Sequence, residues 1–158
     1  MPEREVEELR QLTRTRKQMV REASRHAQRI DKILQDANIK LRSVLSKVLG
    51  ESGRAILRAM IDGESDPVKL ADLAKGRARR KRVQLQKALR GFVNDHHRFL
   101  LRQELDLVEA LEKSIKAIEA RIDEVLRPFA EEEAKLLESL PGISSTAARV
   151  VIAEIGRT

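Results

Sequence analysis

Apolar residues recur along the first third of the chain in alternating steps of three and four residues. The regular part of this seam comprises Val20, Ala23, Ala27, Ile30, Leu34, Ala37, Leu41, Val44 and Val48. A seven-residue repeat of this kind is typical of a long helix packed lengthwise on another helix. The same frame continues back to Val6 and Leu9. We predict one helix from about Glu3 to Leu49, ended by Gly50 just past its C-terminus.

A second seam with the same period lies in the later part of the chain. Its members are Leu101, Leu105, Val108, Leu111, Ile115, Ile118, Ile122 and Val125. This pattern predicts a second long helix, from Phe92 to Arg127, which Pro128 stops or kinks. The two seams fit an antiparallel coiled-coil stalk of about 50 Å within one chain, or each pairs with another copy. Because two helices leave their seam edges partly exposed, we expect a homodimer through this coiled coil.

The segment between the long helices contains signals for shorter ones. Ser52 is placed to cap a short second helix. Asp66 is placed to cap the next helix, over residues 68–75, and Pro67 suits its first position. Residues 75–90 hold eight basic residues and no acidic one, yet they keep a helical apolar face. They predict a basic helix.

We divide the chain into two parts. A helical stalk domain covers residues 1–128, with the short helices forming its tip at about residues 50–91. Residues 129–158 form a second, smaller piece, which begins with an acidic helix over residues 131–139. The sequence L-P-G-I-S follows at residues 140–144 and precedes a last helix.

This short turn between two helices looks like a helix-hairpin-helix element. In such an element the backbone N–H groups of the turn and the following helix N-terminus face a nucleic-acid phosphate. The candidate contacts are Gly142, Ile143 and Ser144. The usual pattern has a second glycine where Ser144 stands. The alternative interpretation is a Pro-Gly corner between two packed helices.

The composition favours an all-α fold. Apolar residues make up 41% of the chain, charged residues 36% and aromatic residues only 2%, a mixture that suits long, partly solvated helices. The absence of cysteine excludes disulfides and thiolate metal sites. No run of about 18 apolar residues occurs, so we expect no membrane span. The acidic N-terminus does not resemble a signal peptide, and we expect a cytoplasmic protein.

Positive charge is concentrated in the first part of the chain. Residues 1–90 hold 23 basic and 12 acidic residues, a net charge of +11, whereas residues 91–158 hold 9 and 13, a net charge of −4. A basic stripe lies on the opposite side of the predicted helix from the first seam. Its four members fall within roughly 20° of one another on the helical wheel. It comprises Arg14, Arg21, Arg25 and Lys32, flanked by Arg10 and Arg29.

A denser basic cluster follows in the tip. It comprises Arg77, Arg79, Arg80, Lys81 and Arg82. Contacts from arginine and lysine to phosphates give affinity that depends on salt and not on base sequence. We therefore expect these two surfaces to bind a helical nucleic-acid backbone. The alternative is that each surface is an ordinary solvated helix face whose charges bind no partner. The shortage of aromatic residues argues against single-strand recognition by stacking platforms.

No catalytic or metal-binding constellation is evident. His96 and His97 are adjacent, so in a helix their side chains point about 100° apart and do not easily share one metal ion. The carboxylates lie on predicted helix surfaces. The chain has neither a phosphate-binding glycine loop nor a Ser–His–Asp set, and it shows no feature of a small-molecule site.

Several stretches, taken in order, resemble the middle of insertion-sequence transposases of the one-ten family. The opening PEREVEELRQLTRTRKQMVREASRHAQRIDKIL fits the helix that follows the first domain of that family. The other stretches are ANIKLRSVLSKVLGESGRAILRAMIDGESDP (37–67), LADLAKGRARRKRVQLQKALRG (70–91), HHRFLL (96–101) and LLESLPGISSTAARVVIAEIG (136–156). The resemblance covers nearly the whole chain.

The resemblance implies a particular place for this chain. Members of the family have a RuvC-like domain with a DEDD set of metal-binding carboxylates, then a helical coiled coil. A transposase domain that supplies a nucleophilic serine comes last. They recombine DNA under the guidance of a structured RNA. This chain is similar to the coiled coil plus the first hairpin of the last domain.

Neither catalytic set can be assigned to a residue of this chain. The DEDD carboxylates would precede Met1 and the serine would follow Thr158, so we expect no catalysis by the chain alone and no cofactor in it. A divalent metal ion is expected only in the RuvC-like domain. If this is the complete product, it looks like a truncated or decayed transposase. We expect DNA or structured guide RNA as partners, with association with the nucleoid when DNA is bound. The alternatives are a free-standing helical nucleic-acid-binding protein and a coiled-coil adaptor.

Overall fold

The structure, a computed structural model, describes the backbone of residues 1–137 and the side chains of residues 1–129. Every regular element in this part of the chain is helical, which confirms the all-α class. The α-helices are α1 (Glu3–Asp36), α2 (Glu51–Ile61), α3 (Pro67–Ala71), α4 (Arg82–Ala88) and α5 (Asp95–Leu137), with 3₁₀ helices at Leu41–Ser43 and Gly76–Lys81. The predicted hairpin turn at residues 140–144 and the helix after it lie outside the described residues.

The chain divides into two compact units. The first unit joins Met1–Glu22 to Ala110–Thr158, and the second is Ala23–Glu109. In the described part of the first unit, Leu9 of α1 is buried in a cluster with residues of α5, namely Ile122, Val125 and Leu126. Arg16, further along α1, pairs with Glu119 at 3.5 Å. The two helices therefore run antiparallel within this unit.

The second unit contains the larger apolar core. Its most deeply buried large side chains are Ile30, Leu41, Ile56, Leu57, Met60, Leu70, Leu85, Leu101 and Leu105. The α1 and α5 segments of this unit are also antiparallel. His26 Nδ1 lies 2.5 Å from Glu104 Oε2, whereas the carbonyl of Ala37 accepts the N–H of Phe92 at 2.8 Å. The short helices pack around these two segments.

The first helix ends earlier than the seam predicts. α1 stops at Asp36 and not near Leu49, because Asn38 adopts the left-handed backbone conformation with φ of 57°. The N–H of Ile39 then bonds to the carbonyl of Leu34, and that of Asn38 to Gln35. These are the two hydrogen bonds of a Schellman motif, with asparagine in the place usual for glycine.

Two residues assigned to helix boundaries have different roles. Gly50 does not follow a helix C-terminus but precedes α2, as its N-cap residue with extended backbone. Ser52 does not cap α2 and lies buried within its first turn. Its Oγ accepts the N–H of Lys75 at 2.9 Å and donates to the carbonyl of the same residue at 3.2 Å. These bonds tie α2 to the segment that precedes the second 3₁₀ helix.

The beginning of α3 agrees with the sequence prediction. The Asp66 side chain accepts the N–H of Val68 at 3.0 Å, and Pro67 occupies the first helical position, so this predicted cap is confirmed. The helix is shorter than the predicted range of 68–75, because it ends at Ala71.

The basic segment is not one helix. It is a 3₁₀ helix over Gly76–Lys81 followed by α4, which buries Leu85 and Ala88 as the apolar pattern predicts. Phe92 does not continue that apolar face, because the chain leaves the helix after Ala88. A side chain at Gly91 would place its Cβ 2.3 Å from the carbonyl oxygen of Ala37, so only glycine permits this close approach.

The last long helix is offset from its predicted limits. α5 begins at Asp95, where Asn94 and His97 form a reciprocal cap: each side chain bonds to the backbone N–H of the other. The helix then continues through Pro128 to Leu137, so Pro128 does not end it. The predicted acidic helix from residue 131 is the continuation of α5 as far as Leu137 and not a separate helix.

Candidate nucleic-acid interface

The cations of the predicted basic stripe are all carried by α1, but they belong to two units. Arg14 and Arg21 lie in the first unit, and Arg25 and Lys32 lie in the second. All four side chains are exposed. Within the part of the chain that the structure describes, no acidic side chain forms an ion pair with any of them.

The two flanking arginines are held by neighbouring carboxylates. Arg10 pairs with Glu7 at 3.5 Å on the same helix. Arg29 lies 3.8 Å from Glu104, the carboxylate that also contacts His26. Glu104 is only 17% exposed, so its carboxylate is partly removed from water, and Arg29 supplies a compensating positive charge. Arg29 is therefore part of the contact between α1 and α5 within the second unit.

Three cations of the tip cluster contact their own unit. Arg79 donates to the carbonyls of Asp72 and Ala74 at 3.3 and 3.5 Å. Lys81 donates to the carbonyl of Val44 at 3.3 Å, and Arg82 lies 3.8 Å from the Asp72 carboxylate. These contacts join the second 3₁₀ helix and the start of α4 to the chain segments at Val44 and at residues 72–74.

The other two cations of the cluster project into solvent. Arg77 and Arg80 are exposed, and no described side chain forms an ion pair with either of them. They share this property with Arg25 and Lys32 of the same unit. We refer to Arg25, Lys32, Arg77 and Arg80 as the free cations.

The excess of positive charge belongs to the second unit. Ala23–Glu109 contains 19 basic and 11 acidic residues, a net charge of +8, whereas the rest of the chain contains 13 and 14, a net charge of −1. A unit of this size with such an excess attracts polyanions over a distance of about 10 Å at moderate salt. The second unit thus carries the net positive charge, although the division at residue 90 separates positive from negative charge more sharply.

One strong ion-pair group was not evident in the sequence. Arg58 of α2 contacts Asp106 and Glu109 of α5, each at 2.9 Å. Burial lowers the pKa of Arg58, but hydrogen bonds to Glu109 and Asp106 raise it, and the net result is a raised pKa. No sequence spacing connects residues of two separate helices, so only the fold brings these charges together.

Three further exposed cations were also missed. They stand singly along the second unit and not in a run or on one helix face, which are the patterns that a sequence search detects. They are Lys40, Lys47 and Lys69. Lys87 and Arg90 of the basic segment over residues 75–90 are exposed as well.

Comparison with known proteins identifies no relative. No family model, no curated protein and no solved structure matches the chain. Its function is therefore inferred from its own residues and from the resemblance described above.

The other candidate features are the hairpin turn, a metal site and a membrane span. Gly142, Ile143 and Ser144 lie outside the described residues. The described residues contain no group of three or more side chains suited to a metal ion. Among the described helices, none combines the length and apolar character needed to cross a membrane.

Proposed function

We propose that this chain is a nucleic-acid-binding and assembly part of an RNA-guided insertion-sequence transposase. The second unit carries the surface that contacts the polyanion, either DNA or structured guide RNA. The long helices act in assembly: α1 and α5 pack on each other within each unit, and copies associate along the half-buried edges of these helices. The transposase context rests on the resemblance of the sequence, and the binding role rests on the described charges.

The free cations are the observation that carries the binding role. They are the members of the predicted stripe and cluster on the second unit that are exposed and have no ion-pair partner or backbone contact among the described residues, and the unit has a net charge of +8. Arg29 and Arg82 pair with the carboxylates of Glu104 and Asp72, and Lys81 is held by a hydrogen bond to a backbone carbonyl, whereas these four cations have no such contact. Exposed unpaired cations are the groups that replace counterions on a phosphate backbone.

An adaptor role is the competing proposal. α1 and α5 present apolar seams, and charged residues on such helices also serve to keep them solvated. In that case the free cations would have no polyanion to contact. A free-standing nucleic-acid-binding protein without a role in transposition would share the binding behaviour and would differ only in its partners.

Binding of the purified chain to a DNA duplex and to a structured RNA hairpin separates the nucleic-acid-binding role from the adaptor role. Four phosphate contacts predict that affinity falls roughly 100-fold between about 50 and 200 mM salt. Fluorescence anisotropy with labelled oligonucleotides measures the effect. An adaptor would bind neither probe at the lower salt concentration, and that result would contradict the proposed function.

A further inference from the structure

Phe92 is the most exposed large apolar side chain in the described part of the chain, with 87% of its surface accessible. An isolated exposed apolar residue is common on protein surfaces and by itself indicates nothing. Phe92 differs because the backbone on both sides of it is fixed. It lies in a short link between α4 and α5, where a flexible segment would be the ordinary case.

Several contacts fix this link. The N–H of Phe92 bonds to the carbonyl of Ala37 at 2.8 Å, and the N–H of Lys40 bonds to the carbonyl of Ala88 at 2.9 Å. Gly91 packs so closely on Ala37 that a Cβ there would clash. On the other side, Val93 packs against the apolar core. The ring is therefore presented to solvent from a backbone that is already ordered.

The two linked backbone segments at Phe92 carry cations and no carboxylate. The two linked segments, residues 37–40 and 88–94, contain Lys40 and Arg90 and no carboxylate. Both cations are exposed, and no described side chain forms an ion pair with them. Two carboxylates flank the segments: Asp36 at the end of α1, and Asp95, which is engaged by Arg98 at 2.9 Å.

We propose that Phe92 is a stacking site for one unpaired base of a nucleic acid. An exposed ring and exposed cations on the same two linked segments match the two parts of a nucleotide, because the ring covers the base and the cations attract the phosphates. A fixed backbone lowers the ordering cost of binding. This inference rests on the proposed function, and it adds a preference for a bulged or looped base over a fully paired duplex. One ring gives a single stacking contact and not a platform for a long single strand.

Tryptophan fluorescence provides a direct test, since the chain contains neither tryptophan nor tyrosine. In F92W the new indole is the sole reporter, and F99W places a matched reporter on α5, where Phe99 is 61% exposed. The probes are a short duplex and the same duplex with one bulged adenosine, each made in RNA and in DNA. Stacking predicts that the bulged probe quenches F92W more strongly than the paired probe does, and that F99W shows no such difference.

A second variant measures the contribution of the ring to affinity. F92L keeps an apolar side chain and leaves the backbone bond to Ala37 in place, so the fold is retained. It is expected to weaken binding of the bulged probe about 10-fold and to leave binding of the paired duplex unchanged. Equal quenching by both probes, together with unchanged F92L affinity, would overturn the stacking site while leaving the proposed function intact.

Other outcomes are equally decisive. Absence of binding to every probe would overturn both the stacking site and the proposed function. The emission of F92W could also shift with protein concentration in the absence of nucleic acid. That result would show that a second copy of the chain packs on position 92, and it would also overturn the stacking site.

Discussion

Reversing the four free cations should weaken binding to a duplex about 100-fold at low salt. The variant carries R25E, K32E, R77E and R80E. All four side chains are exposed and make no ion pair with a described residue, so the substitutions should leave the fold intact. Each reversal removes one counterion-releasing contact and adds a repulsive charge. Anisotropy titrations across a salt series measure both the affinity and the slope of log affinity against log salt, which should become less steep by about four phosphate contacts.

A matched control variant separates local contact from net charge. It carries the same change of charge on exposed cations of the first unit, with K17E, K113E, K116E and R127E. We expect its affinity to change less than about threefold at about 0.1 M salt, because these cations make none of the proposed phosphate contacts and act only through screened net charge. Equal losses in both variants would mean that binding follows total charge and that the second unit has no special surface.

The choice of positions in this experiment depends on the structure. Reversing Arg29 would place a carboxylate beside Glu104, and reversing Arg82 would place one beside Asp72. Either change would destabilise the second unit and lower binding for an unrelated reason. The free cations avoid this ambiguity.

Replacing Gly53 by alanine should produce the largest loss of stability. An added Cβ would lie 1.6 Å from the carbonyl oxygen of Val48 and 2.6 Å from its carbonyl carbon. Both atoms are backbone, so the segment before α2 would have to move. Higher helix propensity favours alanine by about 1 kcal/mol, but overpacking against a fixed backbone should cost about 3 kcal/mol or more. Urea denaturation followed by circular dichroism measures the net loss.

Gly50 offers the matched control for this prediction. A Cβ there would lie 3.2 Å from the carbonyl oxygen of Lys47, and the backbone φ of −73° is ordinary for any residue. G50A should therefore change the free energy of unfolding by less than about 1 kcal/mol. If G53A were as stable as the natural chain, α2 would not pack on Val48 as described.

Hydrophobic periodicity predicted the long helices better than their ends. The second seam continues through α5, and all of its members are buried or half-buried. The first seam continues past Asp36 into Leu41, Val44 and Val48, which remain inside or against the core although α1 has ended. Residues that face the core can keep the same apolar spacing after the helix has ended. The spacing therefore does not show where a helix stops.

The helix end at Asn38 had only a weak local signal. Asparagine tolerates a left-handed backbone, but it does so far less often than glycine, and Gly50 further along gave a stronger signal for a stop. The role of Gly91 was also hidden. Its close approach to Ala37 joins segments more than fifty residues apart in the sequence.

Candidate cations were found from sequence, but their roles were not. Arg79 and Lys81 look the same as Arg77 and Arg80 in a basic run. They differ because backbone carbonyls of Ala74 and Val44 lie within reach after folding. Which member of a charge run is available to a partner is decided by tertiary contacts, and no spacing rule contains that information.

The most direct test is an amide chemical-shift map of this 18.0 kDa chain during titration with a short nucleic-acid duplex. The proposed function predicts perturbations concentrated in the second unit, around Arg25 and Lys32 on α1 and around Arg77 and Arg80 on the second 3₁₀ helix. The map should revert when salt is raised. Perturbations confined to residues 1–22 and 110–129 of the first unit, or no perturbation at low salt, would contradict it.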